Sequence, residues 1–160
     1  MKLYFKQQPF SFRQRTNVYD EFGNVLFNAV GEISLARKIH VYDRVGNEVA
    51  YVEKKLLHLL PRFSIYIAGQ YVTDIVKEFT FFKPSYLFER IGWSVSGEFL
   101  SHDYTIKRGN MPIAYIHKQW MSWGDSFEID IADGQDIVMV LAAVIAIDCV
   151  MDSNNSSSSN

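Results

Sequence analysis

Cysteine occurs once in this chain, at position 149 within an apolar run, so no intrachain disulfide can form. A chain that does without disulfides suits a reducing compartment, and the cytoplasm is its expected location. Charge of either sign is not in excess. Sixteen basic against eighteen acidic residues leave a net charge of -2, which excludes a nucleic-acid binder that relies on overall attraction to phosphates. The nine glycines are scattered, and none opens a helix in a phosphate-cradling arrangement. The start, MKLYFKQQPFSF, lacks the continuous apolar stretch of a secretory signal because Lys6, Gln7 and Gln8 interrupt it.

Constellations for catalysis and metal binding are missing as well. Ser101, His102 and Asp103 are adjacent, and neighbours on a strand point to opposite faces, so they cannot form a hydrogen-bonded relay. The four histidines suggest zinc, but pairing Ile106 with Asn110 puts His102 and His117 on opposite faces, and only one cysteine is available. Asp125, Glu128, Asp130, Asp133 and Asp136 form an acidic stretch without the carboxylate order of a calcium loop. No cofactor, metal or catalysis is expected.

The chain does contain one long apolar run, DIVMVLAAVIAIDCVMD at 136–152, with no polar stripe at any period. A helix that is apolar all round must be enclosed by protein or lipid. From Ile137 to Met151 the run would reach roughly 22 Å as a helix, short of a hydrocarbon core of about 30 Å, and Asp148 interrupts it. Burial inside the protein is expected. Asp148 must then reach the mouth of its enclosure or meet a donor such as an arginine or a backbone N–H. Asp133 and Gly134 suit a turn, with Asp136 at or near the helix N-cap.

The rest of the chain reads as strands. YDEFGNVL at 19–26 recurs as YDRVGNEV at 42–49, an offset of 23 residues, and Asp with Gly three positions later marks a bulged hairpin turn. YTIKRGN at 104–110 is a looser third copy, and Ala68, Gly69 and Gln70 mark a fourth hairpin. Further strand candidates are LYFK, TFFK at 80–83, YLFER at 86–90, WSVSGEF at 93–99 and SFEIDI at 126–131. About a dozen short strands and one buried helix predict a mainly β protein, a closed antiparallel barrel around a central C-terminal helix. A register with Asp43 opposite Asn47 puts Ile39, Val41, Val49 and Tyr51 on the inner face, and Lys38, His40, Glu48 and Lys54 on the outer. One domain over 1–152 is expected, with 153–160 as a disordered polar tail.

The two YDxxGN hairpins, GWSVSGEF at 92–99, YIHKQWMSWGDSFEIDI at 115–131 and the terminal apolar helix resemble the tubby C-terminal-like superfamily, in particular LURP-one-related proteins and their small bacterial relatives. The segment from Gly124 onward is similar to the end of phospholipid scramblases. The resemblance implies a twelve-stranded barrel around the helix. It further implies binding to anionic membrane lipid such as phosphoinositide, although no tubby lipid-binding motif aligns residue by residue.

Candidate headgroup residues are Arg37, Lys38, His40, Lys54 and Lys55 on the second hairpin, and the bland alternative is a solvated barrel face. Trp120, Trp123 and Phe127 around the Gly124 corner are candidates for an aromatic rim, against packing that aligns the last strand before the helix. The expected function is a non-enzymatic module that binds an anionic phospholipid surface. A protein-interaction or scaffolding domain and a scramblase-like role are the alternatives.

Overall fold

The structure, a computed structural model, describes residues 1–6, 15–32, 34–78, 84–121 and 124–157. Twelve strands follow one another: β1 (Lys2–Lys6), β2 (Thr16–Tyr19), β3 (Val25–Glu32), β4 (Lys38–Tyr42), β5 (Glu48–Lys55), β6 (Arg62–Ile67), β7 (Gln70–Glu78), β8 (Ser85–Phe88), β9 (Trp93–Glu98), β10 (Asp103–Arg108), β11 (Met111–Met121) and β12 (Gly124–Ile131). Each pairs antiparallel with its sequence neighbour, and β1 closes the barrel against β12. A single helix, α1 (Ile137–Ser157), follows. The TFFK candidate at 80–83 lies outside the described residues.

The closed sheet exists because α1 has no face fit for water. Val140 to Ile147 are all buried, against inner-face side chains such as Leu3, Phe5, Ile39, Phe63, Ile75 and Phe88. Ala142, Ala143 and Ala146 keep the helix slim, and it packs most closely on β5, β6 and β7. Asp136 begins the helix as expected, its side chain accepting the Met139 N–H at 2.9 Å while its carbonyl accepts that of Val140. At the other end α1 continues to Ser157, into the segment expected to be a disordered tail. Ser153 fits the helix by donating its hydroxyl to the Cys149 carbonyl at 2.9 Å. No helix among the described residues is long and apolar enough to cross a membrane.

The repeated hairpins form as the sequence indicates. Asp20 and Asp43 each accept two backbone N–H bonds across their turns, and Gly23 and Gly46 take positive φ. The inner-face assignment beyond the second turn requires correction. A bulge sets Tyr42 opposite Glu48 but Val41 opposite Ala50, so Val49 packs against the core as expected, while beyond it Ala50 and Val52 point inward and Tyr51 outward. One extra residue reverses the parity of a strand. Equivalent shifts precede the turns of β2–β3, β6–β7 and β10–β11.

Two substitutions test this packing. Ala143→Asp places a carboxylate in the fully buried face of α1, at a cost of several kcal/mol, and abolishes folding as followed by near-UV circular dichroism. A soluble, cooperatively melting Asp variant would show that the helix is not enclosed. Gly97 has φ 144°, and a Cβ there would lie 2.5 Å from the Asp103 carbonyl and 2.6 Å from Tyr104 Cα. Gly97→Ala is therefore expected to destabilise by on the order of 2 kcal/mol, measured by denaturant unfolding.

Candidate functional site

The two ends of the barrel are built differently. One carries the tight turns 20–24, 43–47, 68–69, 89–92 and 109–110. The other carries the remaining connections, of which 34–37, 56–61 and the 3-10 turn Phe99–Ser101 are described, and α1 runs toward it.

At this loop end the structure gathers four of the five predicted basic residues, though not on one face. Lys38 opens β4, and Lys54 and Lys55 close β5. The Lys54 N–H donates to the Arg37 carbonyl at 2.9 Å, which holds the β3–β4 connection against the end of β5. Lys38 and Lys55 point outward and share Glu53, at 3.8 and 3.6 Å. Lys54 takes the inward parity of Ala50 and Val52, so its assignment to the outer face beside Lys38 is corrected by the same bulge. Arg62, opposite Lys55 on β6, adds a cation that the sequence did not single out; it forks onto Glu89 at 2.8 and 3.2 Å and reaches Asp74 at 3.0 Å. Arg37 meets Asp152 of α1 at 3.1 Å.

His40 lies further along β4, between Glu48 at 2.7 Å and Glu32 at 3.3 Å. It begins a row of rings on directly opposed residues: His40 on Tyr51, Tyr51 on Tyr66 at 4.5 Å, and Tyr66 edge-on to Tyr71. The rings from His40 to Tyr66 cover one another's faces. The row thus ties four strands together and presents ring edges, not a stacking platform.

Of the aromatic-rim candidates, the side chain of Phe127 alone is described. Phe127 is buried and packs against the His102 ring, with centroids 4.5 Å apart. Trp120 belongs to β11, and Trp123 lies outside the described residues. Glu128, counted above in an acidic stretch, is 1% exposed; Lys2 binds it at 2.6 Å and His117 approaches to 3.5 Å. Sequence reasoning missed this pairing because its members come from three strands.

Asp148 meets a donor, as its burial requires. It is 4% exposed, and its described partner is neither an arginine nor a backbone N–H but His102 Nε2 at 3.4 Å from Oδ1, while Oδ2 is buried with no partner. His102 reaches it from a left-handed conformation, φ 54°. Burial raises the Asp148 carboxyl to about 7, and His102 acts against that rise. The same triad of neighbours is thereby separated: Ser101 donates to the Glu98 carbonyl, His102 turns to α1, and Asp103 enters β10. Among the described residues no group of three or more His, Cys, Asp or Glu side chains is placed to hold a metal ion.

A closed twelve-stranded barrel filled by its C-terminal helix, with this sequence, has known counterparts. Residues 1–148 match the LURP-one-related family. The chain belongs to that family. It is 31% identical over 152 residues to the uncharacterized protein YxjI of Bacillus subtilis (strain 168), with 94% of each chain covered. A solved structure of a protein from Arabidopsis thaliana has the same fold, with a TM-score of 0.68 at 15% identity, covering 94% of this chain and 90% of that one.

The environment of Asp148 sets a pH dependence. Its folded pKa is raised above the unfolded value, so the native state holds the proton more tightly, and stability falls as pH rises from about 4 to about 7. Above that window the buried charge costs on the order of 4 kcal/mol. Asp148→Asn should therefore gain stability relative to the native protein across this window and hold a constant advantage above it. Thermal melts from pH 4 to 8 decide the point: parallel curves for the two proteins would remove Asp148 as the cause.

Proposed function

We propose that this LURP-one-related barrel is a non-catalytic module that binds the anionic surface of a membrane, peripherally and on its cytoplasmic side. The observation that supports the reading is the gathering of Arg37, Lys38, Lys54, Lys55 and Arg62 around one end of the barrel, from β4, β5, β6 and the connection before β4. Lys38 and Lys55 share a single carboxylate at long range, and both are partly exposed. Such pairs contribute about 0–1 kcal/mol. Exchanging Glu53 for a lipid phosphate therefore costs little, and each cation near an anionic surface gains roughly 1 kcal/mol.

The scramblase-like role has less support, because the apolar helix that carries that likeness is the core of the barrel. A protein-interaction or scaffolding role remains the alternative; capture of a stoichiometric partner in the absence of lipid would decide for it.

Co-sedimentation with neutral and anionic liposomes, at low and high salt, tests the reading. Binding is expected only to anionic liposomes, falling with salt, and weakened roughly tenfold or more by Lys38→Glu with Lys54→Glu. Equal binding to neutral liposomes, or none to either, would reject it.

A further inference from the structure

Resting on the lipid-binding reading, we propose that the loop end of the barrel inserts into the membrane, with Leu35, Leu57 and Leu59 entering the acyl layer while Arg37, Lys54 and Lys55 meet the headgroup phosphates. Leu35 is 96% exposed, Leu57 and Leu59 are fully exposed, and Leu56 is half exposed. Three large apolar side chains standing free on two neighbouring connections are not accounted for by the fold, since none touches the core. Leu57 is moreover held at φ 67°, a left-handed conformation that side chains other than glycine and asparagine rarely adopt. The backbone is strained where the leucine projects.

Charge selects the occupant. Segments 34–37 and 56–61, SLAR and LLHLLP, contain no carboxylate, and the cations of the strand ends flank them. An anionic bilayer complements both features, with an apolar interior for the leucines and phosphates for the lysines and arginines. Two copies of this chain meeting through the same end would bring those cations against one another. The opposite end also exposes Phe22, Val45 and Met111, but singly on three separate turns: Phe22 follows Asp20 and Glu21, which an anionic surface repels, Val45 sits in a turn where Asp43 and Arg44 cancel, and Met111 follows Lys107 and Arg108. The orientation that results places α1 with its C-terminal end toward the membrane.

The native thiol permits a direct test. Cys149 is buried and its burial pushes the thiol pKa up, so a polarity-sensitive maleimide fluorophore will attach to an introduced cysteine in the folded protein. Leu57→Cys, Leu35→Cys and, as the opposite-end control, Val45→Cys are labelled and mixed with phosphatidylcholine vesicles with or without phosphatidylserine. The fluorophores at 57 and 35 should shift to the blue with anionic vesicles and be quenched by acyl-chain nitroxides; the one at 45 should do neither. Leu57→Ser in unlabelled protein should weaken co-sedimentation about tenfold. Vesicle binding with no spectral shift at 57 or 35 would overturn insertion while leaving the lipid reading standing. A shift confined to 45 would reverse the orientation and overturn the proposal. A shift at 57 that grows with protein concentration without vesicles would identify self-association, also against it, and failure of the unlabelled protein to bind any vesicle would overturn both readings.

Discussion

Enclosure of a helix with no polar face is the constraint on which the rest of this molecule depends. An isolated α1 would expose Val, Leu, Ile and Ala on every side, so the strands can be stable only as a closed ring that covers it entirely. Closure in turn requires every strand to alternate inner and outer residues and leaves no free sheet edge. Small side chains at Ala142, Ala143 and Ala146 on the helix and Gly97 on the wall are the places where the two come closest or the wall folds most tightly.

With the interior wholly occupied by α1, chemistry is pushed to the outer wall and the two ends. The wall carries compensated charge and the ring row from His40 to Tyr71, which stabilise strand pairs. The turn end is built on carboxylates that close hairpins. The loop end differs from both, since it combines cations, free leucines and a buried carboxyl, Asp148, that α1 brings up to it. The binding surface proposed above lies where the connections are free to vary without disturbing the enclosure.

Much of the fold was legible because its signals are local. The YDxxGN turns, the alternation of strands and the unbroken apolar run each declare themselves within a few residues, and hairpin-connected strands leave few other topologies. The faces of β5 differ from the sequence expectation for an equally local reason: the bulge beside the Asp and Gly turn shifts the parity of every residue beyond Val49, which reverses Tyr51 and Lys54. Of the candidate site, the basic residues near the end of the second hairpin were identified, whereas Arg62 and the leucines were not. An exposed leucine and a core leucine are identical in sequence.

The sequence by itself determined that a helix must be buried, that antiparallel hairpins must bury it, and that no intrachain disulfide can form, because composition and short-range periodicity carry that information. Only the tertiary structure decided that Asp148 meets His102, that Glu128 meets Lys2 and His117, and that cations and leucines share one end. Those contacts join residues up to 126 positions apart, and their geometry follows from the closure of the barrel, which no segment contains alone.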